Sequence, residues 1–229
     1  MCGRFTLRVT PAELADIFHV LRGTEAWPSR YNIAPTQVVA CVRREPPDTN
    51  RHLAMLRWGL IPSWAKDAKL GASLINARGE SVATKPSFRS AFRKRRCLIP
   101  ADGYFEWQQI GKQKQPFWIR RQDERPFAFA GLWEAWHSPE GALVESCSII
   151  TIEATGNLAK LHNRRPVFLD PQDYDRWLDP ACQDAESLQE FLVPHPVDDL
   201  LWSAVNPIVN NARNQGPECI SPWSVPTLL

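Results

Sequence analysis

A cysteine stands at position 2, directly behind the initiator methionine, in the stretch MCGRFTL. Removal of Met1 would make Cys2 the first residue, with an α-amine and a thiol on adjacent carbons. A free α-amine titrates near 8, so a large share is neutral and nucleophilic at pH 7, whereas a lysine at about 10.4 must be perturbed to match it. An amine adds to an aldehyde to give an imine. A thiol on the neighbouring carbon then closes onto the imine carbon, and the resulting thiazolidine ring hydrolyses much more slowly than the imine. Cys2 is therefore suited to durable capture of an aldehyde. The competing reading is a residue that simply ends in the core, since cysteine is among the most buried types.

Proton-transfer groups lie further along the chain. In ADGYFEW, Glu106 sits between Phe105 and Trp107 on a strand-like run, and alternation sends it to the face opposite both aromatics. Desolvation there would raise its pKa toward general-acid use; an exposed carboxylate in water is the equal alternative. In KLHNRRPVFL, His162 precedes Arg164 and Arg165, a proton shuttle beside two cations that suit phosphates. A lone structural histidine fits the same residues. In LINARGE, Asn76 at a strand end suits the orientation of a substrate oxygen and Arg78 suits a phosphate, against a turn with a solvated salt bridge. FRSAFRKRR carries Arg89, Arg93, Lys94, Arg95 and Arg96 with Phe88 and Phe92 interleaved. That mixture suits single-stranded nucleic acid, where bases stack and phosphates pair, or else a solvated basic helix face. Trp64, in a polar loop, is a candidate stacking wedge, and Trp58 is assigned to the core.

The elements that must position these groups follow from composition and pattern. The chain has 229 residues, 44% hydrophobic and 23% charged, with 10 tryptophans and 20 prolines, enough for a sizeable core with many irregular connections. A net charge of +2 is too mild to announce nucleic-acid binding by itself. Six cysteines without C-x-x-C spacing, and no histidine pair, speak against zinc. The start lacks the apolar core of a signal peptide, and no apolar run approaches the ~20 residues that span a bilayer. The expectation is a reduced, soluble, intracellular protein.

TPAELADIFHVL predicts a helix with Thr10 and Glu13 as a capping box, Pro11 in the first turn, and Leu14, Ile17, Phe18 and Leu21 on one face. Strands are expected at VVACVRR, RHLAMLRWGLIP, PFAFAGLWEAW, CSIITIEA and LLWSAV. CLIPADGYFEWQQ and QPFWIRR read as two strands around IGKQKQ. NLAKLH predicts a short helix delivering His162, and PQDYDRWLD and AESLQEFLV two late helices. No repeat or linker divides the chain, so the fold class expected is α+β, with a mostly antiparallel, barrel-like sheet and peripheral helices in one domain over residues 1–229.

The ordered set MCGRF, RYNIAP, WGLIPSW, LINARGE, ADGYFEW, HNRRP and VNPIVNNARNQGPECI resembles the SRAP family (SOS-response-associated peptidase, abasic-site processing proteins), from Cys2 to about Ile220. The resemblance implies the SRAP fold and a shield for abasic sites in single-stranded DNA, whose ring-opened deoxyribose offers an aldehyde at C1′. It implies that Cys2, once Met1 is gone, ends as a thiazolidine DNA–protein crosslink. Glu106 would be the acid–base group assisting ring opening, Asn76 would orient the sugar and the N-terminus, and His162 would assist proton transfer in imine formation and reversal. Arg4, Arg78 and Arg164 match phosphate contacts, Thr151 a site-lining threonine, and Trp64 an aromatic wedge. Some relatives have adjacent tryptophans at the wedge where this chain has Ser63 and Trp64, which implies weaker stacking. The implied partner is abasic single-stranded DNA, with no metal, no cofactor, no membrane and a monomeric chain. The location implied is cytoplasmic and DNA-associated, or nuclear in a eukaryote. The family label implies an alternative, a cysteine peptidase or hydrolase using Cys2, His162 and Glu106, and with it self-release of Met1. A third reading is a non-covalent binder of modified DNA, for which Cys2 would be dispensable.

Overall fold

The computed structural model describes residues 2–22, 27–194, 197 and 199–224. In chain order its elements are β1 (Phe5–Leu7), α1 (Pro11–Phe18), β2 (Val20–Arg22), β3 (Arg30–Ile33), β4 (Val38–Arg43), β5 (Arg51–Trp58), β6 (Asn76–Arg78) and α2 (Arg89–Lys94). There follow β7 (Arg96–Ala101), β8 (Gly103–Ile110), β9 (Gln113–Arg121), β10 (Phe127–His137), β11 (Leu143–Glu153), β12 (Arg164–Pro166) and β13 (Phe168–Leu169). The chain closes with α3 (Tyr174–Leu178), α4 (Ala185–Gln189) and β14 (Leu200–Ala204).

Two sheets form. One runs β14-β9-β8-β1-β3; the other runs β12-β11-β10-β7-β4-β5-β2, with β6 beside β11 and β13 beside β10. The second closes on itself. β5 pairs with β4, β4 with β7, β7 with β10 and β10 with β11, and β11 returns to β5 in parallel through Ser146↔Arg57 and Cys147↔Trp58. That ring is the barrel expected of a mostly antiparallel α+β chain, and closure removes the exposed edges that an open sheet would leave.

β1 joins the two sheets. Its Phe5 ring lies edge-on to Trp58 of the barrel at 5.2 Å and to Phe129 at 6.0 Å, and Tyr104 of β8 meets Phe129 at 6.0 Å. All four rings are essentially buried. Burying one such aromatic contributes about 1.5–3 kcal/mol. The chain start is thereby anchored in the core three residues after Cys2.

Local expectations hold at α1, where the full Thr10/Glu13 capping box and the Pro11 start are present. The helix is shorter than its pattern. His19 caps it in the left-handed region at φ 52, and Val20–Arg22 turns into β2, so Ile17 is 42% exposed and Leu21 belongs to a strand. CLIPADGYFEWQQ is two strands rather than one. Asp102 breaks it, because its carboxylate takes hydrogen bonds from Thr6 Oγ1 and the Arg8 amide and a salt bridge from Arg8 Nε. β7 then stays with the barrel and β8 crosses to the other sheet. Gly103 follows because the Trp118 indole covers it: a Cβ there would fall 2.1 Å from Nε1.

Candidate active site

Cys2 is fully buried, and its Sγ lies 3.9 Å from the Arg4 carbonyl as a weak S–H donor. Met1 lies outside the described residues. The β1–β8 register, Phe5↔Tyr104 and Thr6↔Gly103, continues back through Phe105 N–H donating to Arg4 O at 3.0 Å. The next step sets Glu106 level with Gly3, beside Cys2. Alternation separates the faces as expected: Phe105 and Trp107 pack with Trp118, Val205, Val209 and Cys219, while Tyr104 and Glu106 face the barrel side.

That placement decides the open question about Glu106. It is 4% exposed, and burial pushes its carboxyl up to about 7. Burial, helped by the Glu106 charge, also pushes the Cys2 thiol far above its ordinary value, so the sulfur is a thiol and not a thiolate. Asn76, on β6, donates from Nδ2 to the Cys2 carbonyl at 2.8 Å, while its buried Oδ1 has no hydrogen-bond partner among the described residues.

Pairing across long sequence distances assembles the other side. β6 runs parallel to β11 with Asn76↔Ile149 and Arg78↔Thr151, and β12 runs antiparallel to it with Glu153↔Arg164. Arg78, Glu153, His162, Asn163 and Arg164 then line one cavity of about 460 Å³. His162 Nδ1 is held by the Arg164 backbone, 2.9 Å from its amide nitrogen and 3.2 Å from its carbonyl oxygen. Burial draws this imidazole below its usual value.

The expected phosphate contacts divide into three situations. Arg78 is exposed at the cavity. Arg164 makes a two-pronged salt bridge with Glu80, Nη1 to Oε1 at 2.6 Å and Nη2 to Oε2 at 2.9 Å, and Nη2 also donates to the Thr151 carbonyl. Those bonds hold the Glu80 carboxyl below its usual range. Arg4 turns to the C-terminal segment: Nη1 donates to Asn32 Oδ1 and Val209 O, both at 2.8 Å, and Nη2 to Asn210 O at 3.4 Å. Thr151 is fully buried behind Arg164, its Oγ1 donating to Ala77 O at 3.4 Å.

Trp64 is 59% exposed at the tip of a turn that Ala65 N–H closes onto Pro62 O and that Trp136 Nε1 braces through Ala65 O at 2.6 Å. Trp58 is core, as expected. Phe88 and Phe92 are buried and offer no stacking surface, because α2 uses that side to pack on the core. From the same run Arg96 turns inward to the carbonyls of Phe92, Arg93, Trp177 and Asp179, and Arg95 pairs with Glu134.

Sequence reasoning missed Asn32. Its Nδ2 donates to the carbonyls of Val209, Asn211 and Asn214, so with Arg4 it ties the closing segment to the chain start. The motif RYNIAP carried that signal, but its partner lay near the other end of the chain.

The family model for SOS response associated peptidase (SRAP) matches residues 1–212. The chain belongs to the SRAP family. Among SRAP relatives, the abasic site processing protein YoqW of Bacillus subtilis is 41% identical over 224 residues, covering 96% of this chain and 99% of that one. The abasic site processing protein HMCES of Rattus norvegicus is 32% identical over 205 residues, covering 76% of this chain and 58% of that longer one. A crystal structure of a Bacteroides thetaiotaomicron protein shares the fold at TM-score 0.86 and 23% identity, covering 97% of this chain and all of that one. Another from Bordetella bronchiseptica reaches TM-score 0.76 at 29% identity, covering 90% of this chain. The SRAP fold expected from the motifs is thus the fold observed. Among the described residues no helix is long and apolar enough to cross a membrane, and no cluster of metal-ligating side chains occurs.

Proposed function

We propose that this chain, acting as one SRAP domain, captures abasic sites in single-stranded DNA through Cys2 after Met1 is removed. The observation that carries the reading is a buried acid of pKa about 7, Glu106, beside an N-terminal cysteine whose carbonyl Asn76 holds. Relatives named abasic site processing proteins support it.

The chemistry balances without a cofactor. The Cys2 amine adds to C1′ of the ring-opened sugar and passes a proton to oxygen. The adduct expels water and becomes an imine. The S–H then adds across the C=N bond, sulfur to carbon and proton to nitrogen, for a net loss of one water. Glu106, whose burial lifts its carboxyl to about 7, serves as acid toward the sugar oxygen and as base in the return step. The imidazole of His162 is a second proton-transfer group, and Arg78 supplies charge for a flanking phosphate, joined by Arg164 where a phosphate displaces Glu80.

The burial of both groups supports the peptidase alternative less well. A cysteine hydrolase needs a thiolate beside an imidazolium. Here burial moves the Cys2 thiol up and the His162 imidazole down, away from that ion pair in both members. Self-release of Met1 would be a separate single event at the same residues.

The test is a denaturing gel with an oligonucleotide bearing one abasic site, an undamaged control and a Cys2→Ala protein. A heat-stable shifted band that needs both the lesion and Cys2 is expected. Its absence, with cleavage of peptide substrates, would turn the reading to the hydrolase.

A further inference from the structure

Several arginines of this chain are paired with carboxylates. Arg43 pairs with Glu45 and Glu145, Arg44 and Arg51 with Asp175, Arg121 with Asp123 and Asp199, Arg164 with Glu80, and Arg176 with Glu190. Arg89, Arg93 and Lys94, like the exposed Arg78, Arg125 and Arg213, have no such salt bridge among the described residues, but these three stand together on one groove. All three are exposed, and among the described residues no hydrogen bond or salt bridge holds their head groups. They line a groove of about 510 Å³ with Ala83, Thr84 and Ser90, and no carboxylate is part of its wall. Asp184 feels the charge of Arg93 but is committed to capping α4 through the Ser187 amide at 2.9 Å and hydroxyl at 2.7 Å.

The groove is tied to the site by the backbone. Ser81 N–H returns to Arg78 O at 3.1 Å, Thr84 and Lys85 N–H return to Ser81 O, and Phe88 and Arg89 N–H return to Lys85 O. This unbroken series of turns carries the chain from Arg78, on the site cavity, to α2. The inward packing of Phe88, Phe92 and Arg96 fixes α2 so that the remaining cations of the run face out.

We propose that this groove takes the sugar–phosphate backbone of the single strand flanking the captured abasic site. The inference rests on the abasic-site reading and adds to it a second, sequence-independent contact on one side of the lesion. The groove offers charge without an exposed aromatic, so it would hold phosphates and read no bases. It would make affinity depend on strand length and on salt.

The experiment measures anisotropy with oligonucleotides carrying a tetrahydrofuran abasic analogue, which has no aldehyde and cannot crosslink. One oligonucleotide is short around the lesion; two others extend it on the 5′ or the 3′ side. Binding is titrated against salt for the unmodified chain and for Arg89→Gln/Arg93→Gln/Lys94→Gln. Extension on one side should tighten binding to the unmodified chain. The triple variant should lose that gain, and its salt slope on that oligonucleotide should fall by about 2, as expected for three lost contacts to single-stranded phosphates. Equal gain from extension in both proteins, or no gain in either, would overturn the proposal. Crosslinking of the short aldehyde-bearing oligonucleotide is read separately. Its failure would count against the abasic-site reading, independently of the length dependence.

Discussion

The amide of Asn76 grips the carbonyl of Cys2 from a strand that lies elsewhere in the chain, Nδ2 to O at 2.8 Å. This contact fixes where the reactive residue points, because the Cys2 side chain precedes the first strand and has no ladder of its own. Asn76→Asp would place a carboxylate oxygen against that carbonyl and lose the donor. Its crosslinking rate at saturating DNA is expected to fall tenfold or more, about 1.4 kcal/mol in the barrier, with DNA affinity changed little. An equal loss of affinity would make Asn76 a binding residue instead.

Glu106 predicts a pH dependence in both rate and stability. Its carboxyl titrates near 7 in the folded chain, against an ordinary value of 4.5. The folded state therefore binds an extra proton between those values, and stability falls as pH rises through that window. Glu106→Gln should remove this part of the decline, so its thermal midpoint should gain on the unmodified chain from pH 4.5 to pH 8. The crosslinking rate of the unmodified chain should bend near pH 7, and the Gln variant should be slow and flat there. A bend that persists in Glu106→Gln would assign it to another group.

The Glu80 carboxylate occupies both prongs of Arg164, in the geometry a phosphate would take. Glu80→Gln removes that competing charge. Binding of abasic single-stranded DNA is expected to tighten several-fold, with a steeper salt dependence. Weaker binding would show that the carboxylate serves to hold Arg164 in place.

Trp64 stands out of the surface on a braced turn. Trp64→Ala should leave the thermal midpoint unchanged, since little burial is lost. It should weaken binding by about 1–3 kcal/mol if one base stacks on the indole. Anisotropy and a melting curve on the same preparation separate the two effects.

Much of this site was legible from residue types and order. Cys2 drew notice by chemistry alone, the Glu106 side of its strand followed from alternation, and the capping box fixed where α1 begins. What stayed hidden was long-range. Neither the return of β11 to β5 nor the parallel seating of β6 leaves a local trace, yet these pairings bring Asn76, Arg78 and Thr151 together. The basic run around α2 looked uniform, but core packing divides it into inward Arg95 and Arg96 and outward Arg89, Arg93 and Lys94. Arg4 reads as a cation for phosphate, and no local pattern shows that it also donates to the carbonyls of Val209 and Asn210.

The most direct measurement is the intact mass of the adduct between protein with a verified Cys2 N-terminus and an abasic single-stranded oligonucleotide. The account predicts the sum of the two masses less one water, resistance to borohydride as expected of a closed thiazolidine, and peptide mapping to Cys2. An adduct mapped to a lysine, or one formed equally by Cys2→Ala, would contradict it.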